Sequence, residues 1–297
     1  MIVKKGASNM KFGVYFTYWI NNYIEEFNHF IPRAKRCGLD ILEVGAFDFY
    51  KQNDDYFKKM RHVAEENEII LTAGYGPSRA NNIATDNSSE RQNALNFYRE
   101  TFRKMSIANI HSIGGALYSY WPVDAKENFD KEADFKRSVA GMKILADIAS
   151  DYDIVLNMEA LNRFEGYLIN VADEAVRYVN EVDRPNVKIM LDTFHMNIEE
   201  ESFTAAIKTA GSNLGHFHVG EANRRPPRPG RMPWKDIGNA LKDINYDGNI
   251  VLEPFVKMGG QVGKDIRVWR DLSSDADEEK MDADLKASVE FLHTQFD

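Results

Sequence analysis

Eight short apolar runs, each followed by a longer segment of helical period, constrain this chain more than any other feature. The runs are FGVYFTYW (Phe12–Trp19), ILEVGAF (Ile41–Phe47), IILTAGYG (Ile69–Gly76), SIGGALYS (Ser112–Ser119), IVLNMEAL (Ile154–Leu161), VKIMLDTF (Val187–Phe194), LGHFHVGE (Leu214–Glu221) and NIVLEPFV (Asn249–Val256). Their β-branched and aromatic content, alternating with helical pattern, implies parallel strands joined by helical crossovers. DDYFKKMRHVAEENE follows the second run, DFKRSVAGMKILADIASDY the fourth and PWKDIGNALKDI the seventh, where Pro233 suits a first helical turn. A last helix is expected over Asp284–Phe296. With no low-complexity linker between the units, the pattern favours a closed (β/α)8 TIM barrel of the α/β class, a single domain over residues 10–297. A doubly wound sheet usually carries a Gly-rich dinucleotide turn after its first strand, and YFTYWINN stands there instead. Met1–Asn9 reads as an N-terminal extension, residues 1–9. A chain of 297 residues is long for one domain but ordinary for an α/β barrel.

Composition narrows the function classes. Hydrophobic residues make up 43% and charged ones 28%, as in a soluble globular enzyme. A formal charge of −9 argues against nucleic acid as a partner and equally against an acidic membrane surface. Cys37 is the only cysteine, so no intrachain disulfide can form, which fits a reducing, cytoplasmic setting. No apolar run is long enough to span a bilayer, and MIVKKGASNMKFGVY lacks the extended apolar region of a signal peptide.

In a (β/α)8 barrel the chemistry sits at the carboxyl ends of the strands. The ends of runs five to eight carry Glu159, Asp192, His218 and Glu253. Any one of them alone reads as a solvated strand terminus; four on consecutive strands read as a metal site. Three oxygen donors and one imidazole form a mixed, hard ligand set suited to Mn2+, Mg2+ or Co2+, whereas a closed structural zinc site more often uses thiolates. His216 shares a strand face with His218 because side chains alternate with period two, and it is either a second functional imidazole or a packed barrel histidine. His195 lies three residues beyond Asp192, where a loop can aim it at substrate; Glu165 lies beyond Glu159 in the same way, or pairs with Arg163 at the surface. Arg224, Arg225, Arg228 and Arg231 cluster in an otherwise acidic chain as a phosphate clamp, a hydroxyl-binding loop or a solvated charge run. Among the aromatic residues near strand ends (Tyr15, Trp19, Tyr120, Trp121 and Phe255), Tyr15 and Trp121 are candidates for the apolar walls that carbohydrate sites use.

GGALYSYWP, EALNRFE, VKIMLDTFHMNIEE, GHFHVGEANRR, GRMPW, LEPFV and IRVWRDLS resemble the D-tagatose 3-epimerase family, and within it the D-psicose (D-allulose) 3-epimerases. The resemblance runs from about Phe12 to Asp271. It implies a metal-dependent TIM barrel, with Mn2+ or Co2+ and with Mg2+ admissible, one ion per subunit, that interconverts free ketohexoses at C3 and forms a homo-oligomer, dimer or tetramer. It implies that Glu159, Asp192, His218 and Glu253 hold the metal, that Glu159 and Glu253 double as the acid and base, and that Glu165, His195 and Arg224 bind the oxygens around C1 to C3. Tyr23 falls in a loop after the first strand where the family varies.

The residues support the same chemistry. Epimerising a carbon beside a ketone requires loss of a weakly acidic C–H proton and stabilisation of an enediolate. Inversion then needs a proton from the opposite face, which two carboxyl groups can provide, each worth about 10²–10⁴-fold. The four arginines motivate the rival expectation, a sugar-phosphate 3-epimerase or isomerase on the same barrel.

Overall fold

The computed structural model describes residues 10–24, 26–124 and 128–296; the expected extension, residues 1–9, lies outside the described residues. Eight parallel strands close into a barrel in sequence order: β1 (Lys11–Tyr15), β2 (Ile41–Gly45), β3 (Ile70–Gly74), β4 (Ser112–Gly115), β5 (Val155–Glu159), β6 (Val187–Asp192), β7 (Leu214–Val219) and β8 (Asn249–Leu252). β1 pairs with β8 through Lys11 opposite Asn249, which closes the ring, and the register shifts between Ile189 and Met190 where β6 meets β7. The helices are α1 (Phe30–Arg36), α2 (Asp54–Glu66), α3 (Ser88–Ile107), α4 (Lys131–Ser150), α5 (Ala172–Val182), α6 (Thr193–Glu199), α7 (Phe203–Ala210), α8 (Trp234–Asp243), α9 (Gly260–Asp265) and α10 (Glu278–Phe296).

Each strand begins within one residue of its expected start and ends two to four residues short of its expected end. The overrun has a physical cause, clearest in the first run. FTYW (Phe16–Trp19) is a fully buried 3-10 turn rather than pleated strand. Its apolar residues pack under α10, where the Tyr18 hydroxyl donates to Met281 O at 2.9 Å and Trp19 Nε1 donates to Asp282 Oδ1 at 2.8 Å. Apolar sequence thus marks burial, and the pleat stops before the burial does.

Several helix starts carry side-chain caps that satisfy otherwise orphaned N–H groups. Asn53 caps α2 through Tyr56 N, Asp130 caps α4 through Ala133 N, and Ser202 caps α7 through Ala205 N. Pro233 stands at the cap position before α8 rather than inside its first turn. α10 starts six residues ahead of the expected Asp284. Asp277 Oδ1 accepts from Lys280 N at its start, and Arg33 of α1 reaches Asp282 at 2.8 Å and Glu278 at 3.5 Å, so a polar segment is held helical by ion pairs.

The apolar core fills the layer between barrel and helices, with residues such as Phe102, Leu145, Tyr178, Phe217 and Ile250 fully buried. Each such side chain contributes about 1.5–3 kcal/mol relative to exposure. Two glycines then shape the carboxyl-terminal mouth. A Cβ on Gly74 would lie 3.0 Å from the Tyr15 ring, and one on Gly76 would lie 2.9 Å from Trp121, so both aromatic rings lean directly on main chain.

Candidate active site

A cavity of 390 Å³ opens at the carboxyl ends of the strands. Glu159 is the last residue of β5, Asp192 the last of β6, His218 the fifth of β7, and Glu253 lies one residue past β8. The Glu253 N–H donates to Val219 O at 3.1 Å, which extends the β7 to β8 ladder and fixes its backbone. One ligand atom from each of the four lies within 4.8 Å of the others.

Such crowding sets the electrostatics. Burial, then the neighbouring Glu253 and Asp192, raise the carboxyl pKa of Glu159 well above its ordinary value against the pull of His218 and Arg224. Burial pushes Asp192 the same way, but Arg224, His195 and His218 outweigh it and hold the group below the usual carboxylate range. Asp192 Oδ1 accepts from Phe194 N at 2.7 Å, capping α6, while Oδ2 accepts from Arg224 Nη1 at 2.8 Å. Burial would lower the pKa of His218, yet the carboxylates of Glu43 and Glu253 on either side raise it well above its ordinary value. His218 Nδ1 is buried, 3.5 Å from Glu253 Oε2, with no hydrogen-bond partner among the described residues. Three carboxyl groups around an orphaned imidazole nitrogen fit a divalent cation, whose charge would offset the mutual repulsion and whose coordination would use that nitrogen.

One wall of the cavity is polar. Arg224 sits at φ +63° and is buried; its Nη1 also donates to Glu253 Oε2 at 2.7 Å, and its guanidinium lies 3.8 Å from the Phe194 ring centroid. Burial opposes its charge, but Asp192 and Glu253 raise its pKa further, so it is a permanent cation. His195 Nδ1 accepts from the backbone N–H of Asn162 at 3.1 Å, which assigns the proton of the neutral ring to Nε2. That Nε2 stands 3.5 Å from Glu159 Oε1. Burial lowers the pKa of His195, which favours this neutral N–H donor. Glu165 accepts from Trp121 Nε1 and from Asn162 Nδ2, both at 3.0 Å. Burial would raise its pKa, but His195, Arg224 and these donors outweigh it and keep the carboxylate ionised.

The structure brings all nine expected site residues to this cavity: Glu159, His218, Glu253, Glu165, His195, Arg224, Tyr15 and Trp121 line it, and Asp192 stands behind Arg224. The surface pairing considered for Glu165 does not form, because Arg163 pairs with Glu199 at 2.9 Å. Of the four arginines only Arg224 faces the cavity; Arg228 and Arg231 are exposed and Arg225 is half-buried on another surface. Of the other aromatic residues near strand ends, Phe255 lines the cavity, whereas Trp19 stacks on Phe30 in the core and Tyr120 lies against Arg79. Tyr23 of the variable loop also lines it.

Glu43 and Asn162 were not anticipated. Glu43, 1% exposed, is the third residue of β2; its Oε1 lies 2.7 Å from His218 Nε2 and its Oε2 lies 2.9 Å from His216 Nε2. A lone acid inside an apolar strand was the available signal, since such a group persists only with partners. His216 is therefore a buried neighbour of Glu43 below the cavity and does not line it.

The family model for xylose isomerase-like TIM barrels matches residues 31–272. D-psicose 3-epimerase of Agrobacterium fabrum is 48% identical over 95% of this chain and 98% of its own length. The crystal structure of a D-psicose 3-epimerase in the presence of D-fructose superposes with a TM-score of 0.95 at 47% identity, covering 97% of this chain and 99% of that one. The D-psicose 3-epimerase of Clostridium cellulolyticum H10 with D-tagatose gives the same TM-score at 45% identity, covering 97% of this chain and 100% of that one.

Proposed function

The chain belongs to the xylose isomerase-like TIM barrels and, among them, to the D-psicose 3-epimerase family, and from that premise we propose that it is a metal-dependent ketose 3-epimerase. Its substrates are free ketohexoses, D-fructose and D-psicose foremost, with D-tagatose and D-sorbose as a further pair. The observation that carries this reading is the gathering of Glu159 and Glu253, on strands separated by β6 and β7, with Asp192 and His218 on one cavity floor.

Glu159, Asp192, His218 and Glu253 would hold one divalent ion per subunit, Mn2+ or Co2+ and admissibly Mg2+, given a ligand set of oxygens with one nitrogen. Bound there, the cation would supply positive charge where the sugar oxygens become anionic as the C3 proton leaves. Ionised Glu165 accepts from hydroxyl groups, while His195 Nε2–H and the Arg224 guanidinium donate to oxygens near C1 to C3. With the sugar so fixed, one glutamate removes the C3 proton and the other returns a proton to the opposite face of the planar enediolate. In the reverse direction the two exchange roles. Tyr15 and Trp121, backed by Gly74 and Gly76, supply apolar walls for the remaining carbons. The phosphate-directed rival loses its motive, since three of the four arginines stay out of the cavity.

The reading includes a homo-oligomer, dimer or tetramer, as the sequence resemblance implies. It includes a cytoplasmic location, consistent with a single buried cysteine and with no described helix long and apolar enough to cross a membrane. Turnover of D-fructose in deuterated water tests the chemistry. Early product should be the C3 epimer bearing deuterium at C3, with both C1 hydrogens remaining protium; an aldose product labelled at C1 or C2 would replace the epimerase by an isomerase.

A further inference from the structure

We infer that Glu43, on β2 and outside the four-residue floor, is a positioning residue that fixes which nitrogen of His218 faces the metal. The inference rests on the metal centre proposed above and extends it to β2, a strand that carries none of the four floor residues.

A neutral imidazole carries one N–H and one lone pair, and only the lone pair can ligate. His218 presents Nε2 to Glu43 Oε1 at 2.7 Å and Nδ1 to the floor, where Glu253 Oε2 is 3.5 Å away. A carboxylate only accepts, so Nε2 is the donor; in the neutral ring that ligation requires, Nδ1 then carries the lone pair. Without that acceptor the ring can take the opposite tautomer, place its proton on Nδ1 and donate to Glu253, which removes one ligand and occupies a second.

Glu43 is itself held. Thr72 Oγ1 of β3 donates to Oε2 at 2.8 Å, and His216 Nε2 stands 2.9 Å from the same oxygen. Contacts from β3 and β7 thus fix a carboxylate on β2, with no exposed side chain in the chain of support. Glu43, His216 and His218 also lie close enough to hold a cation of their own. That arrangement would take Nε2 of His218 for one ion and Nδ1 for another, which requires the ring to lose both protons. Positioning needs no such step.

The test uses the full chain, stripped by chelation and titrated with Mn2+ by calorimetry, with folding followed by circular dichroism. Wild type should bind one Mn2+, and Glu43→Gln, which keeps the shape but loses the charge, should bind it about 10- to 100-fold more weakly. In the Co2+-loaded protein, NMR should show a hyperfine-shifted exchangeable N–H from His218 whose exchange with solvent quickens in Glu43→Gln. A folded Glu43→Gln variant with wild-type Mn2+ affinity overturns the inference alone, as does binding of two Mn2+ per chain. If wild type binds none, the metal reading falls and this inference with it. Should Glu43→Gln fail to fold, Thr72→Val takes its place; a smaller loss of affinity is expected, and an unchanged affinity overturns the inference.

Discussion

Glu43 on β2 and Glu159 on β5 are both buried carboxyl groups, and their surroundings drive them in opposite directions. Burial raises the pKa of both, but at Glu43 two imidazoles outweigh it and hold the carboxyl well below the usual range. At Glu159 the nearest charges include two more acids, and the pKa rises well above its ordinary value. Glu43 is matched by Thr72, His216 and His218, whereas at Glu159 the pull of His218 and Arg224 does not outweigh burial and the neighbouring acids. The difference separates a carboxylate kept for architecture from one kept for chemistry, and burial alone does not distinguish them.

The largest effect that would break this contrast is metal removal. Chelated protein should lose turnover and melt at lower temperature, and Mn2+ or Co2+ should restore both, since a ligand of the native state stabilises it. Full activity in protein shown to be metal-free by elemental analysis would place the floor acids in the same class as Glu43. Next, Glu159→Gln and Glu253→Gln should each lower kcat by about 10²–10⁴-fold or more, because an amide cannot carry the proton. Bound metal must be measured in each variant; a fully metallated variant turning over near the wild-type rate removes the two-glutamate assignment.

Smaller effects sharpen the comparison. Arg224→Ala should cost about 10- to 10²-fold in kcat/KM, since it removes a buried charge-assisted donor, while Arg228→Ala and Arg231→Ala should leave kinetics unchanged; equal losses in all three would restore the arginine loop as a binding surface. Least of all, Arg163→Ala, whose partner Glu199 lies outside the cavity, should leave kcat and KM unaltered and Tm little changed. A marked rise in KM would show that Arg163 supports Glu165 after all.

The sequence reveals the eight-strand order because parallel strands buried on both faces are nearly continuous apolar runs. Strand ends were less legible, since Phe16–Trp19 stays apolar while leaving the pleat to pack on α10. The start of α10 was hidden by EEKMDAD, whose helicity depends on Arg33, a residue far away in sequence. The floor residues could be located because they end consecutive strands, and Glu165, His195 and Arg224 through motif resemblance. Glu43 shows in the sequence only as a lone acid inside an apolar strand; its partner His218 lies five strands later, and no local pattern names that partner.

The hydrogen bond from Glu253 N to Val219 O means that this carboxylate rides on the barrel wall rather than on a loop. With Glu159 and Asp192 closing their own strands, the groups proposed to move protons and hold charge would have almost no reorganisation to undergo during a reaction. Their alignment persists for as long as the barrel does. Heating should therefore leave the activation enthalpy nearly constant and activity should fail abruptly, together with the fold.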